Sequence, residues 1–182
     1  AMIVVRLQGI VGREVSPEHF AVVTVGTLTS GHTNNTIPGS ATLVLNCRFY
    51  DDDVKARTYT AIERVVRGEC IASGCEKEPT FTYSNHGELT DNSPEVFGKV
   101  RPLFDAVFED ASVDAQRWTA SEDFSEVPRA FGAPYFFWLI GANSDDADAP
   151  GNHMPDFLPD YEPVVSASNR AALAAVLAYL AV

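Results

Sequence analysis

Hydrophobic residues recur every three or four positions at the start of the chain. Ile3, Leu7, Ile10 and Val11 share one side, a spacing that predicts a helix ending near Gly12, although the β-branched run 3–5 leaves a strand open. Pro17 closes the segment. Residues 21–29 (AVVTVGTLT) are rich in Val and Thr and read as a strand. Residues 41–50 (ATLVLNCRFY) read as a second, with Leu43, Leu45 and Cys47 alternating onto one side. The intervening SGHTNNTIPGS has the Gly, Asn, Ser and Pro content of a hairpin loop. Asp51, Asp52 and Asp53 then open a long helical pattern through Val54, Ala61, Ile62, Val65 and Val66. Acidic residues suit the positive end of a helix dipole, and Gly74 supplies a left-handed stop. Phe81 and Tyr83 alternate in a short strand over 79–83. The order helix–strand–strand–helix–strand is that of a ferredoxin-like unit lacking its first strand.

From His86 onward the pattern changes. Ser93-Pro94-Glu95 is a cap followed by proline at the first helical position, predicting a helix to about Asp110. Ser121-Glu122-Asp123 starts another short helix toward Phe131. Residues 135–140 (YFFWLI) form a continuous apolar run, as in a strand covered on both faces. Residues 142–163 read as a long polar loop, and such loops inside compact domains are commonly functional or disordered. Residues 166–182 close the chain as an Ala-rich helix. Its shortness, with Asn169 and Arg170, fits packing against a core better than crossing a membrane.

Composition narrows the class. The 182 residues are 46% hydrophobic and 21% charged, enough to bury a real core in one domain or two small ones. Thirteen Lys and Arg against 25 Asp and Glu give a formal charge of −12. Nucleic-acid and anionic-membrane partners are excluded on that balance, because both demand cations. Three cysteines, Cys47, Cys70 and Cys75, with no CxxC motif, suit a reduced, cytoplasmic setting as small buried hydrophobes.

Chemical motifs taken singly are sparse. HExxH, GxSxG, a Walker loop and GxGxxG are all absent. His153 lies in the loop between the apolar run and the last helix, the kind of place where sites are built. Glu122 reads equally as plain helix capping.

Three segments together resemble the M20 metallopeptidase and amidohydrolase family, particularly its hippurate and auxin-conjugate hydrolases. VVTVGTLTSGHTNNTIPGSATLVLNCR over 22–48 resembles that family's "VVTVG…G…N-x-IP…R" lid pattern. Ala120-Ser121-Glu122-Asp123-Phe124-Ser125 resembles "GSEDFS". Asn152-His153 through Asp160-Tyr161-Glu162 is similar to its closing "H…P…FD…DE" segment. The resemblance covers nearly the whole chain in the family's order. It implies an α/β (α+β) fold in two parts. Residues 1–84 correspond to an incomplete ferredoxin-like lid, or dimerisation, domain without its first strand. Residues 85–182 correspond to the C-terminal part of the catalytic domain.

The resemblance further implies a two-metal centre, zinc foremost, acting on N-acyl amino acids or similar small amides. His153 matches a metal ligand. Asn35 and Arg48, thirteen residues apart, match lid residues that meet substrate and are expected to face one cleft. Arg48 would clamp a carboxylate bidentately, and Asn35 would offer an amide hydrogen bond. A surface ion pair for Arg48 and an Asx turn for Asn35 are the structural alternatives. Glu122 is placed as a support behind the site or as a cap. The family's other ligands and its general base come from segments preceding the lid's first helix, and Asn34 stands where relatives carry His. The chain alone is therefore expected to be inactive and without a stoichiometric metal, and a homo-oligomer is expected from the exposed hairpin edge. The alternative is a non-enzymatic lid-type module that dimerises or binds a small ligand.

Overall fold

The computed structural model describes residues 1–84, 86–143 and 148–180. The chain divides into two compact units, Ala1–Leu89 and Thr90–Val182.

The first unit is a hairpin with two helices on one face. Helix α1 (Met2–Glu14) is followed by strands β1 (Ala21–Ser30) and β2 (Ala41–Phe49) and helix α2 (Asp52–Ala72). The strands pair antiparallel, from Ala21 opposite Phe49 to Ser30 opposite Ala41. Their register shifts by one residue between Val25 and Thr27, a bulge that falls on Gly26. Val23, Val25, Leu45 and Cys47 share the covered face and pack on Leu7, Ile10, Ala61 and Ile62. Full burial of Leu7 and Ile10 contributes about 1.5–3 kcal/mol each. Burial in this core pushes the Cys47 thiol pKa up. Arg64 of α2 reaches both carboxylate oxygens of Glu14 at 2.6 Å, and Arg6 pairs with Glu69, tying the two helices together. Helix α2 starts on Asp51, whose Oδ1 accepts the Val54 N–H at 2.8 Å.

Residues 79–83 form no strand, contrary to the alternation of Phe81 and Tyr83. A ladder needs a neighbouring backbone, and the sheet among the described residues is β1–β2 alone. Side chains hold the segment to α2 instead. Arg67 pairs with Glu78 at 2.9 Å and covers the Phe81 ring at 5.0 Å, and the Tyr83 hydroxyl donates to Glu63 at 2.8 Å. Partial burial and the Glu63 carboxylate push the Tyr83 pKa up to about 12.

In the second unit, α3 (Pro94–Phe108) packs against α5 (Tyr161–Leu180), with the short α4 (Glu126–Ala130) between them in sequence. Ser93 caps α3 by accepting the Val96 N–H at 3.4 Å, with Pro94 at the first helical position. The helix ends at Phe108, short of Asp110, because Glu109 turns to a positive φ of 50° and a 3₁₀ turn follows. Val100, Phe104, Ala171 and Ala174 form the buried core. Residues 135–140 are again extended without a ladder partner among the described residues. One face is packed and the other is covered in part, with Leu139 exposed. Phe136, Trp138 and Ile140 pack on the α3–α5 core, while Tyr135 and Phe137 meet Phe124 at 5.8 and 5.1 Å.

Helix α5 begins at Tyr161, five residues before the predicted start, since Pro163 falls in the first turn, where its missing N–H costs nothing. By length and composition alone, α5 is long and apolar enough to cross a membrane. Within this unit its Ala171–Ala174 side is buried, and Leu173, Val176 and Leu180 are exposed.

Candidate functional site

The His153 loop follows the extended run 135–140 and leads into α5. Its neck is closed by the Asp160 N–H donating to the Ala142 carbonyl at 2.9 Å, so the two ends of the loop lie together. Loops closed at the neck in this way are commonly functional. Ser144 to Ala147 lie outside the described residues. Inside the loop, the Met154 N–H donates to the Gly151 carbonyl at 3.2 Å, closing a four-residue turn. His153 is the third residue of that turn and has φ +69°, a conformation that a type II turn demands there and that Gly or Asn normally supplies. Its imidazole is exposed. Residues with a Cβ in this region are uncommon, and they concentrate where function over-rides conformational preference.

Glu122 acts as a cap. Its Oε1 accepts the N–H groups of Asp123 and Phe124 at 3.0 and 3.1 Å. That local turn delays the helix predicted from Ser121 until Glu126. Directly after it, the Ser125 hydroxyl is fully buried and without a hydrogen-bond partner.

Asn35 is exposed in the loop 31–40, whose base is pinned by Ser30 Oγ donating to the Ser40 carbonyl at 3.0 Å. Gly31, at φ +75°, shapes its first step. A Cβ there would sit 2.9 Å from the Pro38 ring, inside contact distance. Arg48 lies opposite Val22, and its Nε donates to Asn46 Oδ1 at 3.1 Å. The expectation that one cleft receives both side chains meets the hairpin's own geometry. Arg48 is seven residues along β2 from the loop, about 23 Å at roughly 3.3 Å per residue. Within one hairpin, Asn35 and Arg48 stand at opposite ends.

The described residues contain no group of three or more His, Cys, Asp and Glu side chains able to hold a metal ion. His153 fits as one ligand, but a catalytic zinc takes about three from protein. The described residues therefore do not fit a complete metal centre. Two features were not visible in the pattern of residues. Asn92 fixes the backbone of Phe137 from 45 positions away. Cys75 returns to Cys70 at the end of α2, its N–H donating to the Cys70 carbonyl at 2.9 Å.

Comparison with known proteins identifies the fold first. The structure superimposes on the YxeP protein of Bacillus subtilis, a dinuclear metal-binding peptidase of the M20 family, with a TM-score of 0.73 and 22% identity over 97% of this chain and 44% of that one. In sequence, the chain is 29% identical over 126 residues to the hippurate hydrolase of Campylobacter jejuni, covering 68% of this chain and 32% of that enzyme. It is 30% identical over 167 residues to the N-acetyldiaminopimelate deacetylase of Bacillus subtilis, covering 91% of this chain and 42% of that enzyme. No protein-family model matches. The chain is a relative of the M20 metallopeptidases and amidohydrolases, with the mixed α/β fold of part of such an enzyme, and spans less than half the length of these relatives.

Proposed function

We propose that this chain is the substrate-holding and lid-bearing portion of a metal-dependent amidohydrolase that cleaves N-acyl amino acids or similar small amides. The observation that carries this reading is the match of nearly the whole chain to a deacetylase of an N-acetylated amino acid, alongside a hippurate hydrolase. Residues 1–84 are read as the lid and residues 85–182 as the C-terminal part of the catalytic domain, in a cytoplasmic enzyme. His153 is one ligand of a divalent-metal pair, zinc foremost, which when bound would polarise the scissile carbonyl and acidify a water. Arg48 takes the substrate carboxylate, Asn35 hydrogen-bonds the amide, and Glu122 supports the site by holding its turn. The described residues offer one ligand and no general base, so the chain alone is read as inactive, holding a positioned substrate that nothing attacks.

The separation of Asn35 and Arg48 along β2 supports a homo-oligomer, in which Arg48 of one copy and Asn35 of another approach the same substrate. The test uses the longest polypeptide that carries this chain, loaded with zinc and assayed on N-acetyl and N-benzoyl amino acids. Turnover is expected to fall about 10²-fold or more in Asn35→Ala and in Arg48→Ala. Mixing the two inactive variants should restore part of it, since a mixed oligomer holds one intact site. Absence of turnover in the parent overturns the amidohydrolase reading. Turnover without recovery on mixing overturns the shared site alone.

A further inference from the structure

Helix α2 ends in a motif whose two facing positions are both cysteines. Gly74, at φ +66°, donates its N–H to the Ile71 carbonyl at 3.0 Å, and the Cys75 N–H donates to the Cys70 carbonyl at 2.9 Å. These two bonds define a Schellman cap. Such a cap brings the side chain after the glycine against the one five positions earlier, where an apolar pair is usual. Here that pair is Cys75 and Cys70, whose backbones the 2.9 Å bond holds together. Both are free, Cys75 exposed and Cys70 half-buried.

Chemistry separates the uses of such a pair. A thiolate metal site takes about four ligands. No third His, Cys, Asp or Glu among the described residues joins these two to hold a metal. The adjacent carboxylates are engaged elsewhere, Glu69 with Arg6 and Glu78 with Arg67. A disulfide needs only the two sulfurs and a Cα separation of about 4.4–6.8 Å. A direct backbone hydrogen bond between the same two residues holds them within that span.

We propose that Cys70 and Cys75 are a modification site, a dithiol that small-molecule disulfides of the glutathione class close reversibly. The exposed Cys75, as thiolate, attacks one sulfur of the small disulfide. That bond breaks, a mixed disulfide forms on Cys75, and the first small thiol leaves carrying a proton. Cys70, having lost its own proton, then attacks the Cys75 sulfur, so that the Cys70–Cys75 bond forms and the second small thiol departs. Two electrons pass from the protein thiols to the small disulfide, which is reduced to two thiols, and excess reduced thiol runs the steps backward. Burial, the Cys75 thiol and the carboxylates of Glu78 and Glu69 push the Cys70 pKa up. Exposure assigns first attack to Cys75, and resolution falls to the half-buried Cys70. Closure ties the end of α2 to the segment that Arg67 and Glu63 already hold against it.

The experiment equilibrates the native chain with glutathione buffers from fully reduced to strongly oxidised, quenches in acid, alkylates free thiols and maps the tryptic peptides. Both cysteines fall on one peptide, residues 68–77, with no cleavage site between them. The expected result is loss of two of the three alkylatable thiols together. That peptide should be lighter by two hydrogens and the chain should remain monomeric on non-reducing gels, with full return on adding reductant. Cys75→Ser should abolish the change and leave Cys70 unmodified or singly glutathionylated, whereas Cys47→Ser should leave it intact. Independent alkylation of Cys70 and Cys75 at every ratio overturns the proposal. So does stable glutathione on both, or cross-linking between chains in place of closure.

Discussion

Asn92 holds Phe137 with both ends of its side-chain amide. Its Oδ1 accepts the Phe137 N–H at 2.6 Å and its Nδ2 donates to the Phe137 carbonyl at 2.9 Å. One side chain thus supplies the pair of bonds that a neighbouring strand would supply to one residue of a ladder. Beside it, the Ser93 N–H donates to the Tyr135 carbonyl at 2.9 Å, extending the same attachment. Together they fix the extended run that delivers the chain to the His153 loop.

Replacing Asn92 by Ala strands a half-buried N–H and carbonyl at Phe137. Leaving such groups unmet costs about 1–3 kcal/mol. Urea unfolding of Asn92→Ala should show a loss of that size. Asn92→Asp, which keeps the acceptor and loses the donor, should fall between the variant and the parent. An unchanged midpoint in Asn92→Ala would mean that water replaces the amide without cost.

Gly31 governs the loop that presents Asn35. Its positive φ alone costs an L-residue about 1–2 kcal/mol, and a Cβ would press the Pro38 ring at 2.9 Å. Gly31→Ala is therefore expected to destabilise by about 1–3 kcal/mol. Hydrogen exchange should quicken at residues 30–41 and remain unchanged in α1 and α2. Uniform quickening across the unit, or none, would contradict this.

Much of this architecture is legible from neighbouring residues alone. The apolar spacing of Leu7 and Ile10, the alternation of Leu43, Leu45 and Cys47, and the Ser93–Pro94 cap each act within a few positions, and the structure carries all three. Residues 79–83 and 135–140 have strand composition, yet a strand exists only when another backbone lies alongside, which composition cannot specify. The same non-locality hides Asn92, whose partner is 45 positions away. Gly74 is legible as a helix stop, but the meeting of Cys70 with Cys75 follows from the cap's geometry and not from any spacing motif. His153 is legible as a residue, while its left-handed backbone is not.

Acid should weaken the start of α2. The Val54 N–H, with smaller help from the Asp53 N–H, His19 and Arg57, holds the Asp51 carboxyl below the usual carboxylate range against a partial burial cost. A depressed folded pKa contributes stability that is present above the ordinary carboxylate value and lost as pH falls through the folded one. Melting temperatures of the parent and of Asp51→Asn should therefore be compared from about pH 6 to about pH 3. The amide still caps but carries no charge, so the parent's advantage should shrink steadily on acidification. A difference that stays constant across the series would show that the carboxylate's charge contributes nothing.

His153 gives the sharpest separation between stability and function. A turn whose third residue sits at φ +69° favours glycine, because a Cβ in the left-handed region costs about 1–2 kcal/mol. Replacement by glycine relieves that cost, against about 0.4–1 kcal/mol of extra chain entropy in the unfolded state. His153→Gly should therefore be neutral or more stable than the parent by up to about 1.6 kcal/mol in urea unfolding, the difference of those two terms. His153→Ala keeps the Cβ and the strain, so it should gain nothing and fall below the glycine variant. Both substitutions remove the imidazole. In the longest polypeptide carrying this chain, both should lose metal-dependent turnover on N-acyl amino acids to the same extent, whatever their stability. A histidine kept for the fold would show the opposite ordering, with His153→Gly the less stable and turnover falling only as far as folding does. Destabilisation of His153→Gly by more than about 1 kcal/mol would make the turn, not the imidazole, the reason for this residue.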